Sequence, residues 1–301
     1  MTHPHRLTLT TASLEIAYEE SGPATGVPVV LLHGFPYDVR QYDAVRDKLA
    51  SSGHRVLVPY LRGFGPTRYR NERIFRSGQQ AALGKDVIDF LDGLRIGQAV
   101  LVGYDWGGRA ACVAAALWPE RTLGIVCCSG YTIQDIAKNA YRPASPAEVY
   151  RRWYALYFNT DLGPAGLAQN RNEFCKLLWQ LWSPTWHFSE AEYQTTALSF
   201  DNPDFVVTAI HQYRHRYGNA PDDPNYQELE ARLAKQPPIA VPTFVLSGGM
   251  DGVEPPPPND PHRDRFTGIY HRRILPEVGH CVPAEAPEEV VAGVAALLAR
   301  G

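Results

Sequence analysis

Six short stretches of this chain read as β-strands, at Val27–Leu32, Arg55–Pro59, Ala99–Gly103, Leu123–Cys128, Val241–Leu246 and Ile269–Leu275. Short, nearly continuous apolar runs such as Val27–Leu32 and Ala99–Gly103 are what a strand buried on both faces requires. Tyr42–Leu49, Gln80–Leu94 and Arg109–Leu117 carry helical periodicity between them. Strand–helix–strand alternation implies parallel strands joined by crossover helices on both faces of one sheet. Ahead of it, Arg6–Glu20 alternates apolar and polar residues around Thr11 and Ala12 and reads as a hairpin. Pro287–Arg300 reads as a closing amphipathic helix.

The alternation breaks once. Residues 131–237 are rich in Trp, Tyr, Arg and Asn, show helical periodicity and contain no strand-like apolar run, and Pro237-Pro238 closes them. A chain of 301 residues allows one large domain or a core carrying an insertion. The break selects the second: an α/β core from residues 1–130 and 238–301, split by a helical cap at 131–237.

Composition removes several partners. Lys and Arg number 29 against 32 Asp and Glu, a net charge of −3, and no basic block appears, which argues against nucleic acid. No apolar run approaches the roughly 20 residues of a membrane span. Met1–Thr11 lacks the charged-then-apolar pattern of a secretory signal, so the expected location is cytoplasmic. Cys112, Cys127, Cys128, Cys175 and Cys281 are odd in number and lack zinc-like spacing. Neither metal nor cofactor is expected, the first three cysteines read as buried thiols, and a homodimer is left open.

The chemistry concentrates at Gly103-Tyr-Asp-Trp-Gly-Gly108, between a strand and a helix. It has the pattern of a G-x-S-x-G elbow with Asp105 where serine normally stands. The glycines permit a sharp turn that lifts the central side chain over the carboxyl edge of the sheet. Asp105 as a plain helix N-cap is the bland alternative. A carboxylate is ionised at neutral pH without a base, and it can displace a leaving group at saturated carbon to give an alkyl ester. A base must then activate water against that ester. His280, after the last strand in Leu275-Pro-Glu-Val-Gly-His280, is the candidate, with Asp251 to orient the imidazole and stabilise its cation. The backbone N–H groups of Phe35, in His33-Gly-Phe-Pro36, and of Trp106 suit an oxyanion hole at the Asp105 carbonyl. His33 itself reads as structural.

These motifs, with Arg62-Gly-Phe-Gly65, resemble the α/β-hydrolase fold family and, within it, the epoxide hydrolases, over about Leu14–Leu298. The resemblance implies an epoxide and water as the partners and a vicinal diol as the product. It also implies two cap tyrosines that bind the epoxide and protonate its oxygen. Trp153-Tyr-Ala-Leu-Tyr-Phe158 and Ile210-His-Gln-Tyr-Arg214 are similar to the two tyrosine segments and point to Tyr154 and Tyr213. Periodicity alone does not choose, because Tyr150, Tyr154 and Tyr157 share a helical face and Tyr213 and Tyr217 are one turn apart. Haloalkane and haloacetate dehalogenases share the aspartate nucleophile and histidine base, and Arg109 matches an arginine that holds the substrate carboxylate in the latter group. Phe35 departs from the former, and Trp106 departs from the second arginine of the latter. A serine esterase is disfavoured by Asp105, and a non-catalytic carrier by the intact trio of Asp105, Asp251 and His280.

Overall fold

The computed structural model describes residues 5–128 and 130–299. The start of the N-terminal segment tested for a signal pattern, Ser129 and the last residue expected in the closing helix lie outside them. Among the described residues, nine strands form one mixed sheet: β1 (His5–Thr10), β2 (Leu14–Ser21), β3 (Pro28–Leu32), β4 (Arg55–Pro59), β5 (Arg68–Tyr69), β6 (Ala99–Gly103), β7 (Thr122–Cys127), β8 (Thr243–Gly248) and β9 (Tyr270–Leu275). Their order is β1-β2-β4-β3-β6-β7-β8-β9, with β5 paired to β2. β1 and β2 form the expected hairpin, β2 meets β4 antiparallel, and β3, β4, β6, β7, β8 and β9 run parallel. All of β6 is buried, as its uninterrupted Ala-Val-Leu-Val-Gly run demands. β9 is an edge strand, and its Tyr-His-Arg-Arg stretch alternates between half-buried and exposed positions, charge that discourages pairing with another chain.

Helices α1 (Asp43–Ser51), α2 (Gln80–Gly93) and α3 (Trp106–Leu117) follow β3, β5 and β6 along the chain. α2 lies against α3 at Gly84, where a β-carbon would stand 2.2 Å from the Val113 side chain. Adjacent residues of β7 face opposite layers: Cys127 meets Gly108 of α3, while Val126 meets Gly293 of a later helix. The sheet is therefore covered on both faces, the α/β-hydrolase architecture expected above.

Between β7 and β8 the chain forms α4 (Ile136–Ala140), α5 (Pro146–Arg151), α6 (Trp153–Asn159), α7 (Leu162–Trp182), α8 (Glu190–Ala197), α9 (Phe205–Arg216) and α10 (Gln227–Leu233). After β9 come α11 (Val282–Glu285) and α12 (Pro287–Leu298), the latter carrying Gly293. The helical excursion is tied to the loop after β3. Trp179 Nε1 donates to the Pro36 carbonyl at 2.7 Å. Buried Asp38 accepts from Ser199 Oγ at 2.6 Å and from Thr196 Oγ1 at 3.2 Å. One expectation changes here. Tyr150 does not share a helix with Tyr154, because the chain leaves helical geometry at Arg152, between α5 and α6.

Candidate active site

Asp105 follows β6 and precedes α3, with φ +49° and ψ −115°. For a non-glycine residue this conformation is strained. Its neighbours make it possible: a β-carbon on Gly103 would meet the Gly107 carbonyl oxygen at 2.3 Å, and one on Gly107 would meet the Leu32 carbonyl oxygen at 1.9 Å. Strand, turn and helix are in backbone contact. Asp105 occupies the cap position of α3, yet its side chain makes no capping hydrogen bond. Instead Oδ1 accepts the Phe35 N–H at 2.8 Å. Trp106 is the first residue of α3, so its N–H belongs to the first turn, where amides lack intrahelical acceptors.

His280 stands on the other side of the carboxylate, with Nε2 3.8 Å from Asp105 Oδ2. Its Nδ1 is 2.7 Å from Asp251 Oδ2. Asp251 is held in turn, because its Oδ1 accepts the N–H groups of Val253 at 2.7 Å and Glu254 at 2.9 Å. Burial works against the imidazolium, but the carboxylates of Asp251 and Asp105 outweigh it and lift the His280 pKa to about 10. His33 is different. Its Nε2 accepts the Leu61 N–H at 3.0 Å and its Nδ1 meets the Gly34 carbonyl at 3.0 Å, while burial lowers its pKa to about 4. It is a neutral structural histidine.

An aromatic enclosure covers Asp105. Phe35 stacks on Trp106 with centroids 5.5 Å apart and meets Tyr213 edge-on at 5.4 Å. Tyr154 meets Tyr213 at 5.5 Å and Trp182 at 4.9 Å, and Trp182 meets His280 at 5.2 Å. Tyr154 and Tyr213 are buried, whereas Tyr150 is 78% exposed. Tyr157 is half-buried, its ring stacked on Phe174 and its hydroxyl donating to the Leu162 carbonyl. Burial raises both inner phenols well above the ordinary tyrosine value, and the charge of Asp105 pushes in the same direction. Both stay protonated at neutral pH.

The structure thus gathers Asp105, His280, Asp251, Phe35, Trp106, Tyr154 and Tyr213 in one place. Sequence reasoning missed the part of Trp182, since nothing singles it out within the Trp-rich segment 131–237. It also missed the Val253 and Glu254 amides, since backbone donors leave no mark in a residue string. The Arg62-Gly-Phe-Gly65 loop supports the enclosure from below: Arg62 forks onto Asp86 at 2.7 and 2.6 Å, and Phe64 packs edge-on against Trp106. Among the described residues, no group of three or more His, Cys, Asp or Glu side chains is placed to hold a metal ion. No described helix is long and apolar enough to cross a membrane.

A family model described as the alpha/beta hydrolase fold matches residues 27–287. An epoxide hydrolase of Caballeronia sordidicola is 34% identical over 92% of this chain and 88% of its own. A crystal structure from Klebsiella pneumoniae, provisionally named an epoxide hydrolase, superposes with a TM-score of 0.95 at 42% identity, covering 97% of this chain and 96% of that one. A haloalkane dehalogenase of Mycobacterium marinum is 34% identical over 40% of each chain. The chain spans about half, 49%, of epoxide hydrolase B of Mycobacterium tuberculosis, at 31% identity.

Proposed function

The chain belongs to the alpha/beta hydrolase fold family, and from that membership we propose that it is an epoxide hydrolase whose nucleophile is Asp105. One observation carries the reading: a carboxylate, rather than a hydroxyl, occupies the strained elbow, between a backbone donor and a histidine and beneath two buried phenols. A fold alone would not carry it.

In this scheme the resting site holds Asp105 ionised beside a protonated His280. Asp105 attacks a ring carbon, the C–O bond breaks, and Tyr154 or Tyr213 gives its proton to the leaving oxygen. The product is a hydroxyalkyl ester and a tyrosinate. Ester formation removes the charge on Asp105, one of the two charges that hold the His280 proton, so His280 releases that proton and the phenol is restored. Neutral His280 then takes a proton from water as the water attacks the Asp105 carbonyl carbon. The oxyanion that forms is held by the Phe35 and Trp106 N–H groups. Its collapse expels the diol and regenerates the carboxylate and the imidazolium. The net change is epoxide plus water to diol, with no cofactor consumed. The helical segment 131–237 acts as the cap, since it brings both phenols to the carboxylate.

A second reading has one observation in its favour. The Trp106 indole Nε1 is buried beside Tyr213 and makes no hydrogen bond of full geometry among the described residues, and a halide ion would accept its proton. Dehalogenation would use the same nucleophile and base. A panel of aryl and alkyl epoxides beside halogenated alkanes and acids separates the two. Diol release without halide release is the expected result; halide release alone would transfer the assignment to dehalogenation.

A further inference from the structure

Asp251 and His280 stand on separate loops, one after β8 and one after β9. The loops are joined where they leave the sheet, by the Gly249 N–H to the Leu275 carbonyl at 2.7 Å and the Met250 N–H to the Val278 carbonyl at 2.9 Å. Further along both loops, the end of α7 ties them together. The carbonyl of Trp182, the last residue of α7, accepts the Gly252 N–H at 3.0 Å and the His280 N–H at 3.1 Å. A carbonyl in the last turn of a helix lacks an intrahelical donor, so this one is open to both loops. The fit is close. A β-carbon on Gly252 would stand 2.0 Å from the Leu181 carbonyl oxygen, and one on Gly279 would stand 2.5 Å from Ser183 Cα. Each of the two triad residues thus has a glycine beside it, and each glycine meets the end of α7 backbone to backbone.

Two side chains continue the hold on the His280 loop. Buried Ser183, which follows α7, donates from Oγ to Glu285 Oε1 at 2.6 Å. Glu285 Oε2 accepts the Gly279 N–H at 2.8 Å. The Cys281 N–H is shared between Glu285 Oε1 and Ser183 Oγ, each at 3.1 Å. The amides on both sides of His280 therefore end on one carboxylate, and the amide of His280 itself ends on Trp182. Hydrogen bonds to a charged acceptor are about twice as strong as neutral ones. Asp251 lies in the wall of a cleft of about 830 Å³ at the carboxyl edge of the sheet, but neither Ser183 nor Glu285 lines it. Substitutions at those two positions act on the His280 loop and leave the cleft wall as it is.

We propose that Ser183 and Glu285 are positioning residues for His280, and that through them the end of α7 sets the imidazole against Asp251. The bond they protect is short, 2.7 Å from His280 Nδ1 to Asp251 Oδ2, and it spans the two loops that α7 ties together. Without the Glu285 carboxylate, the amides of Gly279 and Cys281 lose their charged acceptor and the loop is free to turn the imidazole. A general base works only within hydrogen-bond reach, and a misplacement of about 1 Å costs on the order of 10²-fold in rate. Ring opening uses Asp105 and the two phenols, so the loss falls on hydrolysis of the ester. That choice of step rests on the epoxide reading; the hold on His280 does not.

Rapid-quench mass spectrometry of Ser183→Ala and Glu285→Gln, with an epoxide that the parent chain opens, separates the two half-reactions. Glu285→Gln keeps the size of the side chain but turns an amide N–H₂ toward groups that are themselves donors. Each variant should form the Asp105 ester within about threefold of the parent rate and release it at least about tenfold more slowly. In steady state kcat and KM should then fall together, with kcat/KM nearly kept. Ser189→Ala removes the cap of α8 and no bond to either loop, so it should leave both rates near those of the parent. Equal slowing of formation and release, unchanged release in both variants, or the same slow release in Ser189→Ala would overturn the proposal. A second arm needs no substrate. Proton NMR should show a downfield resonance for the proton between His280 Nδ1 and Asp251, assigned by its loss in His280→Gln, and it should move upfield in both variants. An unmoved resonance would overturn the proposal even where turnover is slowed. A moved resonance in a chain that opens no epoxide ends the epoxide reading and leaves the hold on His280 standing.

Discussion

Holding Asp105 at φ +49° costs about 1–3 kcal/mol, and the return is a carboxylate aimed away from its own helix and toward Phe35 and His280. That turn was legible in the residue string, because Gly103, Gly107 and Gly108 bracket an acidic residue between a strand and a helix. The tyrosines were less so. Helical spacing could not choose among Tyr150, Tyr154 and Tyr157, since nothing local announces that the helix breaks at Arg152; in the folded chain Tyr150 is exposed, Tyr157 half-buried and Tyr154 buried. If Tyr154 and Tyr213 share the proton transfer, each Phe variant should slow single-turnover ring opening by about 10-fold or more, and the double variant by about 10²–10⁴-fold. Rapid-quench measurement of ester formation checks this, and unchanged rates in both single variants would count against proton donation from either phenol.

At the scale of elements, the close approach of β3, the elbow and α3 explains why periodicity starts α3 at Arg109 when the helix starts at Trp106. Two of the intervening residues are glycines, which carry no hydrophobic signal but let the helix begin directly against the Leu32 and His33 carbonyls. Alanine at Gly107 would drive its β-carbon into that backbone, whereas at Gly108 the nearest atom is 3.5 Å away. Gly107→Ala should therefore lose about 1–3 kcal/mol of stability in urea unfolding and most activity. Gly108→Ala should lose little of either. Equal losses would show that this backbone contact is not what positions the turn. The two-residue strand β5 was missed for a related reason: Arg68–Tyr69 is too short to generate any alternation.

Across the whole molecule, segment 131–237 meets the sheet domain through many polar links, and buried Asp38 accepts two of them, from Thr196 and Ser199. Burial raises its pKa from 3.8 to about 6 despite the hydroxyls of Ser199 and Thr196. The folded chain therefore keeps a proton at Asp38 that the unfolded chain loses, between about pH 4 and 6. Stability from this group falls as pH rises through that window and is level above it. Asp38→Asn carries no such titration, so its stability relative to the parent should improve from pH 4 to 6 and then hold constant, as read from chemical unfolding at each pH. A difference that does not change with pH would remove Asp38 from the account of cap docking. The layered core was readable because buried parallel strands leave uninterrupted apolar runs. The cleft at the carboxyl edge of the sheet was not, because residues that line it, Arg109, Gln134, Asp251 and Glu254 among them, are far apart in sequence.

The central claim is that Asp105 forms a covalent ester which His280 later releases. His280→Gln removes the base but leaves the nucleophile, its oxyanion donors and both phenols in place. Incubated with an epoxide that the parent chain converts to diol, this variant should gain the mass of one epoxide in intact-protein mass spectrometry, on the peptide containing Asp105. An unmodified Asp105 after prolonged incubation, with the epoxide still consumed, would contradict the two-step mechanism.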